Sequence, residues 1–306
     1  MELASITAYK IVTMFVMALI GAVCYKTNII SYETNGKLSN LLLMVISPLM
    51  IFSSYQREFS RQQLEGLLMA LFLAAVSHVA AILITKVFIR KSSGENYGVE
   101  SMAAIYSNCG FMGIPLVNAI FGADGVFYIT AYITIFSLFI WTHGILMMIG
   151  KQTVKEALSA MKTPTIFAII VGFIFYVCQI RLPDMIKEPL AVIGDMNTPV
   201  AMLVAGASLA SGSLINMLKK KRIYLISALR LLVIPMITMV ILNLFHFDHV
   251  VTTTIVLATA CPAGSMGTLF ALRYGKDAVY ASEMFGVSTA LSVITIPLVM
   301  LVYTFV

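Results

Sequence analysis

Two short runs carry helix-breaking and polar residues inside otherwise apolar stretches. The first is Ser107-Asn108-Cys109-Gly110-Phe111-Met112-Gly113-Ile114-Pro115, and the second is Ala260-Cys261-Pro262-Ala263-Gly264-Ser265-Met266-Gly267. Pro115 lacks a backbone donor and clashes with the carbonyl four residues back, at Phe111. Gly110 and Gly113 lower the cost of leaving helical geometry. Pro262 and Gly264 provide the same chemistry in the second run. In lipid, each freed backbone group is costly unless protein or a water-filled cavity satisfies it. Two breaks at matching positions therefore predict a shared cavity near the midplane, where half-helix N-termini face an anionic group. The plainer reading is a pair of proline kinks with close glycine packing; the symmetric occurrence favours the site. Asn108 is the leading polar candidate, because an amide donates to a carboxylate at modest desolvation cost; an interhelical hydrogen bond is its bland alternative. Gly110, Gly113, Pro115, Pro262, Gly264 and Ser265 complete the candidate set. Weaker breaks at Ser47-Pro48 and Asn197-Thr198-Pro199 add Ser47 and Thr198.

Ionisable residues inside apolar spans include His78, His143, Arg230 and Glu283. Intramembrane charges are expensive and default to functional hypotheses. Glu283 and Arg230 both lie about two helical turns in from the same side. They are expected to pair, or one of them to serve substrate or a coupling proton; Arg230 snorkelling to the interface is the alternative. For the histidines, satisfied interhelical hydrogen bonds are expected.

The elements that must position these residues follow from composition. Of 306 residues, 60% are hydrophobic and only 11% charged. Soluble domains are about half apolar and a quarter charged, so most of the chain lies in a bilayer and no room remains for a separate soluble domain. Apolar runs near 5–25, 40–56, 65–89, 99–121, 124–149, 164–180, 189–212, 223–245, 251–273 and 278–305 predict ten helices, numbered here as spans 1 to 10. They are apolar on every face, which excludes the alternating strands of a membrane β-barrel. The start, MELAS, lacks a basic region, so span 1 is read as retained rather than as a cleaved signal. Cys24, Cys109, Cys178 and Cys261 lack metal spacing, and neither a metal nor a cofactor is expected.

The net charge of +6 is read through the positive-inside rule rather than as affinity for nucleic acid. Connections after the odd-numbered spans hold 14 basic residues: Lys26, Lys37, Lys86, Arg90, Lys91, Lys151, Lys155, Lys162, Lys219, Lys220, Lys221, Arg222, Arg273 and Lys276. The opposite side holds four, Arg57, Arg61, Arg181 and Lys187. This bias places the odd connections in the cytoplasm and both termini outside.

The halves resemble each other. G-x-M-G occurs at Gly110–Gly113 and Gly264–Gly267, and each is followed by G-x-D-x-V, at Gly122, Asp124, Val126 and at Gly275, Asp277, Val279. Ser47-Pro48 matches Thr198-Pro199 at nearly the same offset. Two units, 1–150 and 151–306, each with five spans, must enter the membrane from opposite sides, an inverted repeat of the kind found in secondary transporters.

The run SNCGFMGIPL, the run TP-x-x-M-L-V-A-G-A-S-L at 198–209 and the broken span 9 resemble the auxin efflux carrier family across essentially the whole chain. That resemblance implies a scaffold of spans 1, 2, 6 and 7, a transport domain of spans 3–5 and 8–10, and a homodimer formed through the scaffold in the cell (inner) membrane. It also implies that a small organic anion, auxin- or malate-like, binds where spans 4 and 9 cross and moves by an elevator mechanism, with Asn108 and Pro115 at one crossover and Pro262 at the other. Two departures stand out: no Asn neighbours Pro262, and residues 150–163 form only a short basic connection in place of a long hydrophilic loop. A sodium-coupled symporter resembling the bile acid sodium symporter family, using Ser107, Asn108 and Glu283, is the alternative within transport. A non-transporting receptor is the alternative outside it. An intramembrane enzyme is disfavoured, since no H-E-x-x-H and no paired acids occur in the spans.

Overall fold

The computed structural model describes residues 2–89, 96–149, 162–211 and 220–305. The unit boundary at 150/151, the basic connection at 150–161 and the residues Arg90, Lys91, Lys151, Lys155 and Lys219 used for orientation lie outside the described residues. The described chain is helical throughout, with no strand. Its helices are α1 (Glu2–Lys26), α2 (Tyr32–Ser54), α3 (Arg61–Phe88), α4 (Tyr97–Ile105), α5 (Cys109–Ile149), α6 (Pro164–Val177), α7 (Asp184–Ser211), α8 (Lys221–Asn243), α9 (His249–Ala260), α10 (Met266–Arg273) and α11 (Ala278–Tyr303). Seven of these, α1 (from Ser5), α2, α3, α5, α7, α8 and α11, are long and apolar enough to cross a membrane, and α6 and α9 are shorter apolar helices. With the expected lipid as solvent, apolar residues such as Val12, Leu19 and Val23 of α1 and Phe167 and Ile170 of α6 face outward.

Several boundaries differ from those expected. Helix α2 starts at Tyr32 rather than at 40, because Ser31 caps it by accepting from Thr34 N and the polar stretch Tyr32–Leu41 is helical despite its polarity. Helix α7 starts at Asp184 rather than at 189 and continues through Pro189. Helix α5 runs from Cys109 to Ile149 but turns sharply at Gly122, where φ is +59°. Its counterpart Gly275, between α10 and α11, also has positive φ, at +65°. These are the glycines of the two G-x-D-x-V elements, and the conformation is one that side chains with a Cβ rarely adopt.

Three prolines leave a common mark. Wide π-helical turns at Leu42–Ile46, Cys109–Gly113 and Leu229–Val233 each end one residue before an X-Pro step, at Pro48, Pro115 and Pro235. Ser47, Ile114 and Ile234 donate their N–H groups five residues back, to Leu42, Cys109 and Leu229. Widening the turn relieves the clash that each proline would make with the carbonyl four residues before it.

Helix α1 packs most extensively along Asn197–Ser211 of α7. A Cβ built on Gly206 would overlap the Ala18 carbonyl, and one on Gly21 would overlap the Leu203 carbonyl. Small residues let these backbones touch, the main source of helix affinity within lipid. Gly206→Ala is therefore expected to destabilise the folded protein by at least about 1–3 kcal/mol. Gly36→Ala, in the same half of the molecule with nothing within 4 Å of the new Cβ, should be neutral or slightly stabilising. Thermal melts of the two variants in detergent check this; equal melting temperatures would refute the tight contact.

Candidate functional site

The two runs singled out in the sequence meet in space. Helix α4 ends at Ile105 and α5 begins at Cys109; α9 ends at Ala260 and α10 begins at Met266. The non-helical segments between them lie antiparallel, with a single bridge between Ser107 and Ala263. Asn108 N donates to Pro262 O at 2.8 Å, and Gly264 N donates to Tyr106 O at 2.9 Å. Backbone groups freed by each break thus satisfy the other. Side chains complete the junction: Ala263 N donates to Ser288 Oγ of α11 at 3.1 Å, and Ser107 Oγ and Tyr132 Oη of α5 share a hydrogen bond of 3.2 Å.

The two helices leaving the junction, α5 and α10, start there without a side-chain cap; Asn108 and Ser265 hold the cap positions but their side chains accept nothing from the first turns. Asn108 is only 4% exposed, and its Nδ2, a donor, has no hydrogen-bond partner. Gly110 sits in the first turn of α5 with nothing within 4 Å of an added Cβ, whereas Gly113 would meet Ile129 and Cys109, and Gly264 would meet Ser107 O at 3.0 Å. Gly110 borders open space; Gly113 and Gly264 are packing positions. Pro115 is buried and shapes the wide turn at Cys109–Gly113.

The expected pairing of Arg230 with Glu283 is not found, and Arg230 does not snorkel. Arg230 is 1% exposed, and its guanidinium bonds four carbonyls beside the Tyr132 hydroxyl: Nη1 donates to Ala104 O at 3.1 Å and Ile105 O at 3.0 Å, Nε to Cys261 O at 3.0 Å, and Nη2 to Thr259 O. These acceptors are the last carbonyls of α4 and α9, left without partners when the helices stop. Glu283 instead meets Lys220 Nζ at 2.5 Å. It starts near one end of α11, a level at which Lys220, just before α8, can reach it while Arg230 is drawn to the deeper junction.

Glu283 belongs to a cluster that includes a residue missed in the sequence. Glu100, 3% exposed, takes a forked bond from Arg222 (3.0 and 2.8 Å) and one from Tyr280 Oη (3.1 Å). An acid at the very start of span 4 looks solvent-exposed in sequence; only the return of α8 and α11 to the same end buries it. The cluster ties the first turns of α4, α8 and α11 together.

Ser47 and Thr198 are not brought into the junction by any contact of their own. Ser47 Oγ accepts from Asn197 Nδ2 at 2.7 Å, holding α2 to α7. Thr198 is half-buried beside that bond, and the Asn197–Ser211 part of α7 packs against the Cys109–Gly113 turn. His143 Nδ1 meets Tyr106 Oη at 3.0 Å, a bond from α5 to the non-helical segment after α4 rather than to another helix. His78 departs from expectation: its Nδ1 bonds within its own helix, to Ala74 O at 2.8 Å, because Tyr132 and Phe139 pack ring against ring over it.

A family model described as membrane transport protein matches residues 6–300. An uncharacterized transporter of Methanothermobacter thermautotrophicus (strain Delta H) is 24% identical over 297 residues, which cover 94% of this chain and 95% of that protein.

Proposed function

The chain belongs to the membrane transport protein family, the one its motifs resemble, and on that premise we propose that it is a secondary transporter carrying a small organic anion, auxin- or malate-like, through alternating access of the elevator type. The observation that carries the anion is the junction itself. Two uncapped helix N-termini leave it, beside the unpartnered Nδ2 of a buried Asn108 and the open space at Gly110. Each N-terminus carries roughly half a positive charge, which suits a carboxylate, although at α10 the N–H groups of Gly267, Thr268 and Leu269 already donate to Gly264 O and Ser265 O. Asn108 supplies one directed hydrogen bond, Ser265 opens the second helix, and Pro115, Pro262, Gly113 and Gly264 shape the breaks. Ser47 and Thr198 form the facing wall on the scaffold side.

The architecture we propose is two five-helix units of inverted topology, 1–150 and 151–306, with α4 plus the first part of α5 matching α9 plus α10. The matched G-x-M-G runs, and the two glycines of positive φ that follow them, support this. Helices α1, α2, α6 and α7 would be the scaffold, through which a homodimer forms, and the remainder the moving domain. The membrane is the cell (inner) membrane, with both termini outside the cytoplasm. A cysteine at Lys276, exposed just before α11, is expected to react with an impermeant maleimide only from the cytoplasm, and one at Lys187, exposed in α7, only from outside. The reverse pattern would overturn the orientation and the repeat with it.

Equilibrium binding tests the site. Calorimetric titration of the purified protein with acetate, lactate, succinate, malate and indole-3-acetate should give saturable binding for at least one acid and none for its amide. Saturable binding of an amine or a sugar alone would overturn the reading.

A further inference from the structure

Arg230 carries a full charge into the middle of the bundle, and among the described residues no carboxylate pairs with it. Four backbone carbonyls from the ends of two different helices accept from it, Ala104 and Ile105 of α4 and Thr259 of α9 with the adjoining Cys261, and the Tyr132 hydroxyl lies beside them. Each helix end carries roughly half a negative charge, so two ends together balance one guanidinium. In transporters built on broken helices, unwound carbonyls and half-helix C-termini are the groups that hold a coupling Na⁺, while the N-termini face an anionic substrate. Here both carbonyl ends are already taken by a side chain that cannot leave.

We propose that Arg230 is a tethered cation: it occupies the carbonyl ends at the junction in place of a dissociable Na⁺, and by neutralising them leaves the field of the two uncapped N-termini to select an anion. Three features beyond the charge count support this. The guanidinium is planar and donates in fixed directions, which fits four carbonyls converging from two helices better than an ammonium does. Arg230 sits in the wide turn Leu229–Val233, whose opening before Pro235 places it at the junction. Its bonds to both α4 and α9 also fix the spacing of the two breaks, so the Asn108 and Gly264 backbone bonds across the junction close over it. Arg230 is a positioning residue for the substrate, and the expected consequence is anion binding that needs no Na⁺. The proposal rests on the anion-site reading above.

The test compares Arg230→Gln and Arg230→Lys with the native protein, using whichever of the five acids binds the native protein most tightly, its amide, and buffers of NaCl or choline chloride. Native affinity is expected to agree within about twofold in the two salts, since Arg230 holds the carbonyl ends of α4 and α9 at the junction. Arg230→Gln should weaken acid binding about tenfold or more, with the amide changed by less than about threefold, because only the charged ligand feels the lost field. Arg230→Lys, lower in melting temperature, should keep the acid-to-amide ratio within about threefold of native. Native binding that requires Na⁺, or a monodisperse Arg230→Gln protein with an unchanged ratio, would overturn the proposal. If only the Lys variant folds, a collapsed ratio in it overturns the proposal and a preserved one supports it; if neither folds, Arg230 belongs to the fold alone and the proposal falls. Native protein that binds none of the five acids would instead overturn the site reading on which it rests.

Discussion

Asn108→Ala is expected to weaken carboxylate binding roughly 10- to 150-fold while leaving the fold intact, since a hydrogen bond to a charged group contributes about 1.5–3 kcal/mol. The fold should survive because the structural work at this position is done by the backbone. Asn108 N donates to Pro262 O, and Asn108 O accepts from Met112 N and Gly113 N, all independent of the side chain. The Nδ2 group makes no bond within the protein, so removing it costs no internal partner. Titration of the variant against the native protein, with a melting curve for each, checks the split. Unchanged affinity in a well-folded variant would assign Asn108 to packing.

The second large effect concerns the open space beside Gly110. Gly110→Leu should reduce substrate binding and transport to background in a protein that still folds, because the new side chain meets nothing within 4 Å of its Cβ and fills the space at the helix N-terminus. Leucine also favours helix over glycine by about 1 kcal/mol. Gly264→Leu should fail differently. Its Cβ would press on Ser107 O at 3.0 Å and Tyr106 O at 3.3 Å, the segment that Gly264 N itself bonds, so the junction opens and the melting temperature falls. Comparison of binding and melting for the two variants separates a filled site from a broken crossover. A Gly110→Leu protein with native affinity would place the substrate elsewhere.

What the sequence disclosed and what it hid follow from the kind of interaction involved. The apolar runs were legible because lipid demands them, and the breaks at Pro115 and Pro262 because proline and glycine write backbone geometry into the sequence. The tight turns at Gly122 and Gly275 showed as a repeated motif for the same reason. The bonding of Arg230 was invisible, since its acceptors are carbonyls, which every residue has; the natural guess was a carboxylate, and Glu283 was the nearest in depth. Glu100 escaped because an acid at the head of span 4 looks solvent-exposed until α8 and α11 return to cover it. The start of α2 escaped because Tyr32–Leu41 is a polar helix held by the Ser31 cap, outside the reach of hydropathy.

Counterflow in proteoliposomes tests the central claim most directly. Vesicles preloaded with one of the five acids and diluted into a trace of the same labelled acid should accumulate label transiently, equally in NaCl and choline chloride, and competing acids but not their amides should suppress it. Binding without counterflow would make the protein a receptor, counterflow only with Na⁺ would make it a sodium symporter, and either result would contradict the account.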